Sequence, residues 1–262
     1  GMALDGVGLG PDGAAWGGEL LRLEGAQCER LGHLQILKLP GVDRAAREPW
    51  RMALSALHGA GLGYRVGGWL NQHYPARDGV PLLTMLERNL RCPPSSSLGR
   101  WFDAAAGLLG VREMSHYEGQ AAMELEALAI AHGPVPPLKN GYILHENGVL
   151  DFSPLIPALL DCRQAAKGAA LFHATVAAGL AKWALLAVDR AKTDKIAIAG
   201  GCALNSVLMT DLRSHFAAAG VRLLEARLAP PNDGGISLGQ GWVGRQLFKE
   251  MKHVSGHSGT SR

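Results

Sequence analysis

Hydrophobic and polar positions alternate through the first forty residues. ALDGVGL, AAWGGELLRLEG and CERLGHLQILKL are separated by GPDG and GAQ, which predicts an antiparallel strand meander ending near Leu39. Asp12-Gly13 marks the first hairpin, since both residue types tolerate positive φ. The period then becomes helical. In DRAAREPWRMALSALHGAG, Trp50, Leu54 and Leu57 fall at i, i+4 and i+7, and Asp43 is placed to cap the helix. Further helices are predicted over PLLTMLERNL, over LGRWFDAAAGLLG after the loop RCPPSSS, and over EGQAAMELEALAIAHG. GPVPPLKN reads as a linker, and YILHENGVLDF as a hairpin with the two-residue turn Asn147-Gly148. A long helix is predicted from about Ala165 to Arg190, with Leu171, Phe172, Val176, Leu180 and Trp183 on one face.

The last quarter changes character. KIAIAGG is a buried strand, CALNSVLMTDLRSHFAAAG turns into a helix closed by Gly220, VRLLEARL is a second strand, and PPNDGG leads into the helix ISLGQGWVGRQLFKEMK. Strand, glycine turn, helix, strand, polar loop and helix predict an α/β sheet with its sites at strand ends.

Composition narrows the class. Hydrophobic residues make up 47% and charged residues 19% of 262 positions, an ordinary globular balance. The net charge of +3, without a basic run, gives no support for a nucleic-acid partner. Cys28, Cys92, Cys162 and Cys202 are scattered with no C-x-x-C, which fits free thiols in a reducing, cytoplasmic compartment. The run GAALFHATVAAGLAKWALLAV approaches membrane-span length but carries His173 and Lys182 and is rich in alanine and glycine, so a buried core helix, not a membrane anchor, is expected.

Four polar clusters sit beside glycines. Asp5-Gly6 with Gly8 lets the backbone approach a phosphate, or is a turn that needs glycine. Gly200-Gly201 with Asn205 joins a strand to a helix, where Asn205 either meets a nucleotide or caps the helix; the spacing is not G-x-G-x-x-G. In PPNDGG, Asp233 is either a metal-directed carboxylate or an N-cap for the last helix. In SSSLGRWFDAAAGLLG and YEGQAAMELE, Asp103 and Gly119 can face one cleft, with Arg100 meeting an anion. The alternative is that Ser97 caps its helix while Asp103, Glu118 and Arg100 form surface ion pairs. His253 and His257 have ligand spacing but lie in a Ser/Gly tail with nothing to orient them. His173 reads as a core-edge residue, and Cys202 as a small buried residue with no adjacent His or Lys to activate it.

Taken in order, LDGVGLGPDGAAWGGE, LPG, EPWRMA, SSSLGRWFDAAAGLLG, YEGQAAMELE, AGGCALN and PPNDGGISLGQG resemble the C-terminal domain of the hydrogenase maturation carbamoyltransferases, the HypF family, over nearly the whole chain. That domain is similar to the threonylcarbamoyl transferases that modify tRNA. The resemblance implies a ribonuclease-H-like α/β lobe of the actin-like, sugar-kinase-like ATPase fold, with a mixed sheet and inserted helices. It implies transfer of a carbamoyl group from carbamoyl-adenylate, made from ATP in an upstream module, to a cysteine thiolate of the partner HypE, on the way to the cyanide ligands of nickel-iron hydrogenase. It places Asp5, Gly6 and Gly8 on the nucleotide phosphates with Gly200 and Gly201 beside them, Asp103 and Gly119 on the ribose side, and Asn205 on the nucleoside. Asp233 becomes a ligand to a divalent metal (zinc, iron or magnesium) whose two histidine ligands, with the first half of the domain, belong to an upstream segment. PGVD departs from the family by carrying Val42 where a second glycine is expected.

The expectation is therefore one α/β lobe over residues 1–252 and a mobile tail over 253–262. By itself the chain is expected not to turn over, since it supplies one metal carboxylate and half a cleft. Two other readings stay open: a non-catalytic lobe that binds nucleotide weakly or docks the partner, and a tRNA-type or small-molecule carbamoyltransferase relative.

Overall fold

The computed structural model describes residues 1–255. Its strands are β1 (Met2–Leu9), β2 (Ala15–Glu24), β3 (Gln27–His33), β4 (Leu37–Lys38), β5 (Pro94–Ser95), β6 (Ile143–Leu144), β7 (Leu150–Asp151), β8 (Lys195–Ala199) and β9 (Arg222–Glu225). Its helices are α1 (Asp43–Arg47), α2 (Pro49–Gly59), α3 (Val66–His73), α4 (Val80–Glu87), α5 (Leu98–Leu108), α6 (Gln120–His132), α7 (Ile156–Leu160), α8 (Ala165–Arg190), α9 (Ser206–Ala218) and α10 (Ile236–Ser255).

β1, β2 and β3 form the expected antiparallel meander. β8 joins β1 in parallel and β9 joins β8 in parallel, so the main sheet runs β3-β2-β1-β8-β9. The short β5 and β4 extend it beyond Ala15 of β2. The whole stretch from α1 to α8 is inserted between the meander and β8. This is the mixed-sheet, inserted-helix lobe that the sequence suggested.

One face of the sheet makes the core. Met2, Leu4, Leu20, Ile196 and Ile198 are buried against α5, α8 and α9, through Phe102, Phe172, Leu180 and Leu212. By length and composition α8 could cross a membrane, but 67% of its most apolar stretch is buried inside the fold. On the opposite face the described residues leave β8 and β9 uncovered. Ala197 and Ala199 are exposed, as are Leu23 and Leu224. The apolar residues Leu238, Trp242, Leu247 and Phe248 of α10 are exposed too.

Four local expectations need correction. DRAAREPWRMALSALHGAG forms two helices, α1 and α2, not one. Glu48 adopts φ −117°, ψ 84° because Pro49 follows it, and a residue before proline is driven out of the helical region. Trp50, Leu54 and Leu57 are nevertheless buried on the face the period gave. Asp43 is the first helical residue and not the cap; the capping position is Val42, which makes no side-chain cap bond. The β6–β7 turn holds three residues, not two. The His145 N–H donates to Val149 O at 2.9 Å and Gly148 takes φ 86°, as in a three-residue hairpin with a left-handed glycine. α3 had no counterpart in the hydrophobic pattern. α10 carries helix to Ser255, three residues into the expected tail; residues 256–262, and His257 with them, lie outside the described residues.

Candidate functional site

The site forms where β1 and β8 run side by side. Asp5, on β1, is half-buried, and its Oδ1 accepts from the Gly6 N–H at 2.7 Å and from the Gly201 N–H at 3.1 Å. The turn after β8 is thereby tied to β1. Glycine is required there: Gly200 sits at φ 103°, and a Cβ on it would run into Leu4 O. Gly200 also donates its N–H to Pro231 O at 2.7 Å, which brings the PPNDGG loop to the same turn.

α5 supplies the facing wall. Ser97 caps it, its Oγ accepting from the Arg100 N–H at 3.2 Å, and the same hydroxyl donates to Asp5 O at 2.8 Å. The first turn of α5 lies directly on β1, since a Cβ on Gly99 would come within 2.6 Å of the Gly6 Cα. Arg100 Nη2 approaches Gly6 and lies 3.0 Å from Asp103 Oδ2. This ion pair is mostly buried, with side chains 14% and 8% exposed. Burial pushes the Asp103 carboxyl up to about 6, against the pull of Arg100. Arg100 Nε is buried without a hydrogen-bond partner, and Asp103 Oδ2 has the Arg100 ion pair in place of a well-aligned hydrogen bond; such groups are uncommon in folded proteins.

Cys202 follows Gly201 and is half-buried. Burial, then the negative charge of Asp5, drives its thiol well above the ordinary range, so it is not a thiolate nucleophile. Asn205 caps α9, accepting from the Leu208 N–H at 2.8 Å. Its Nδ2 lies 3.1 Å from His173 Nε2, and His173 Nδ1 lies 2.8 Å from Ala169 O. The carbonyl can only accept, so Nδ1 carries the proton and Nε2 accepts from Asn205. His173 is fully buried and its pKa is lowered by burial, consistent with a neutral ring.

Behind the β1–β2 loop lies a second buried carboxylate, Glu19. It accepts from Gly17 N–H at 2.6 Å, Gly18 N–H at 2.7 Å, Arg30 Nη2 at 2.9 Å and the Ser96 hydroxyl. This network fixes the β2–β5 edge from which Ser97 and Arg100 project.

Asp5, Gly6, Gly200, Gly201, Asp103 and Asn205 thus gather at one end of the sheet from three distant segments. The reading of Asp103 and Arg100 as surface ion-pair formers is overturned, because the pair is buried. For Asn205 and Ser97 the capping reading is met, and Asn205 keeps one amide N–H for a ligand. Gly8 lies past a bulge in β1. Gly119 opens α6 at φ 74° with open space around it. It reaches the site only indirectly: Glu126, two helical turns on, accepts from the Ser206 N–H beside Asn205 at 2.6 Å. Asp233 is exposed in a 3-10 turn, and its neighbour Asn232, not Asp233, makes the local cap with the Gly234 N–H. No cluster of three or more His, Cys, Asp or Glu able to hold a metal occurs among the described residues, so this donor set does not fit a metal unaided.

Residue reasoning underrated Arg100 and missed Glu19 and the contact between His173 and Asn205. Arg100 was visible as the basic residue in the first turn after a Ser cap. Glu19 and His173 depend on contacts across 77 and 32 residues, which no local pattern carries.

The chain is similar to known proteins over nearly its whole length. Residues 1–240 match the family model described as carbamoyltransferase, Kae1-like domain, second subdomain. The chain is 48% identical over 273 residues to carbamoyltransferase HypF2 of Cupriavidus necator, covering 94% of this chain and 33% of that protein. It is 45% identical to carbamoyltransferase HypF of Rhizobium leguminosarum bv. viciae, covering 97% of this chain and 33% of the relative. The crystal structure of full-length HypF in the phosphate- and nucleotide-bound form superposes with a TM-score of 0.80 at 28% identity, over 94% of this chain and 32% of that one. The HypF structure from T. kodakarensis superposes at 0.83, also at 28% identity, over 95% of this chain and 34% of that one. The chain spans about a third of the length of these relatives. It belongs to the HypF carbamoyltransferase family.

Proposed function

We propose that this chain is the nucleotide-facing lobe of a carbamoyltransferase of hydrogenase maturation. It would help pass a carbamoyl group from carbamoyl-adenylate to a cysteine thiolate of HypE. The observation that carries the reading is the convergence of Asp5, Arg100, Asp103 and Asn205 on the Gly200-Gly201 turn, in a chain of this family. A relative crystallised with phosphate and nucleotide bound supports it.

Each side chain has a defined part. Arg100 offsets phosphate charge from a wall where few waters screen it, so its charge counts for more than at a surface. Asp103, mostly ionised at neutral pH with its carboxyl pushed up to about 6, can accept from a ribose hydroxyl. Asn205, held by His173 and the α9 amide, offers its remaining N–H in a fixed direction. Asp5 shapes the turn through Oδ1. Its carboxylate repels phosphate directly, so its contact with a nucleotide requires a cation between them.

That cation has no complete set of ligands here, and half of the cleft is open. The uncovered face of β8 and β9 and the exposed α10 support the same view: the first half of the domain would pack on them and close the site. We therefore expect the chain alone to bind ATP weakly and to transfer nothing. The test compares the chain with a protein carrying the upstream modules, using intact-mass detection of carbamoyl on the HypE cysteine. Transfer by the longer protein only is expected. Transfer by the 262-residue chain alone would overturn the dependence, and transfer by neither would favour the non-catalytic docking reading.

A further inference from the structure

A charged cavity lies in the inserted helical region, away from the β1 site. It has a volume of about 470 Å³, within the size range of small-molecule sites. Its wall carries four guanidiniums, Arg44, Arg51, Arg77 and Arg91, with one carboxylate, Asp78, and the edge of Trp50.

Positive charge is in excess there, with four guanidiniums set against the carboxylates of Glu48, Glu113 and Asp78. Glu48 is buried and serves two arginines at once, accepting from Arg44 Nε at 2.8 Å and Arg51 Nε at 2.7 Å, and from Trp50 Nε1 at 3.0 Å. Arg77 is held by Glu113, at 2.6 Å. One oxygen of Asp78 is occupied by the Val80 N–H at 2.9 Å. Arg91 forms no ion pair among the described residues. Arg51 and Arg77 both lie against the Trp50 ring, at 5.1 and 5.5 Å from its centre, which holds their planes in place. Held guanidinium forks beside a cavity are the donor set for an oxyanion.

We propose that this cavity binds the phosphoryl group of a phosphate-bearing small molecule, at a site separate from the nucleotide cleft. Arg44, Arg51 and Arg77 keep N–H groups beyond those their carboxylates take, and with Arg91 they offer more donors than the two oxygens of a carboxylate can use. A phosphoryl group offers three oxygens and up to two charges. Separation follows from α5. Arg100 lies near its first turn, whereas α2 crosses it at Gly107, where a Cβ would meet Ala53 Cβ at 2.9 Å. Seven residues of helix place these points about 10 Å apart.

The test titrates the folded chain with inorganic phosphate, pyrophosphate and acetate at low ionic strength, following the Trp50 indole N–H by NMR and the heat by calorimetry. Phosphate and pyrophosphate should shift the Trp50 signal, with acetate at least about tenfold weaker. Arg77→Gln with Arg91→Gln should weaken binding about tenfold or more, while Asp5→Asn leaves the Trp50 response in place. If the double variant melts early, Arg91→Gln alone is decisive, because its side chain is exposed and has no ion-pair partner among the described residues; it should still weaken binding several-fold. An unmoved Trp50 signal, equal binding of acetate, or undiminished binding after loss of Arg91 would each overturn the site.

Discussion

The Asp5 carboxylate accepts a hydrogen bond from the Gly201 backbone at 3.1 Å, across 196 residues of chain. One oxygen of one side chain fixes the β8 turn against β1. A carboxylate bonded to two backbone amides is worth more than a neutral pair, of order 1.5–3 kcal/mol per bond. Asp5→Ala should lower stability by about 2 kcal/mol. Asp5→Asn keeps an acceptor and should cost about half as much. Denaturant unfolding of both variants checks this, and equal stability of Asp5→Ala and the parent would show that the Gly201 bond contributes nothing.

His173 and Asp103 give stability opposite dependences on pH. The His173 pKa is lowered in the fold, so its contribution is full above the ordinary histidine value of about 6.5 and declines as pH falls below it. The Asp103 pKa is raised from 3.8 to about 6, so the fold gains stability as pH falls from about 6 towards 4. The two terms partly cancel in the parent. In Asp103→Asn the second is gone, and acid should destabilise that variant more steeply between pH 6 and 4, by at most about 3 kcal/mol relative to the parent. Parallel stability profiles would rule this out. His173→Phe, which leaves the buried Asn205 Nδ2 without its acceptor, should cost about 1–3 kcal/mol and flatten the histidine limb.

The meander, the 26-residue α8 and the closing strand-turn-helix units were legible because each is a long run with a clean period or a glycine with a steric duty. What stayed hidden has a physical cause in each case. Glu48 interrupts a helical period that continues on both sides, and only the proline after it gives the break away. α3 carries just Val66, Trp69 and Leu70 as buried residues, too short a signal to separate from loop. At the site, Asp5, Gly201 and Asn205 could be picked out beside glycines. The burial of Arg100 against Asp103 could not, since it comes from β1 and α5 closing on each other.

Val42 is a strained position that the sequence marked and the fold explains. It sits at φ 56°, ψ −110°, a region costly for a β-branched side chain, where the family resemblance led us to expect glycine. The side chain is partly exposed, so little packing is at stake. Val42→Gly removes strain of roughly 1–3 kcal/mol and adds unfolded-state entropy of roughly 0.5–1 kcal/mol. A net gain of about 1 kcal/mol is expected, read as a higher melting temperature. A lower one would mean that the Val42 contacts outweigh its backbone.

The bare apolar face yields a prediction that separates docking from folding. Leu23, Leu224, Trp242 and Phe248 are exposed in this chain, with Trp242 at 58% and Phe248 at 67%. Isolated apolar side chains at a surface are ordinary, but a face and a helix bare together mark a surface that something covers. If the first half of the domain is the cover, Trp242→Ser and Phe248→Ser should change the stability of the isolated chain by less than about 0.5 kcal/mol, as surface substitutions do. In a protein that carries the first half, the same changes should each cost about 1–3 kcal/mol, the value of burying such side chains. Joining the two halves should also move Trp242 emission to shorter wavelength. If both substitutions prove equally mild in the longer protein, and the emission does not move, the first half does not pack on α10 and the closed cleft must be built another way.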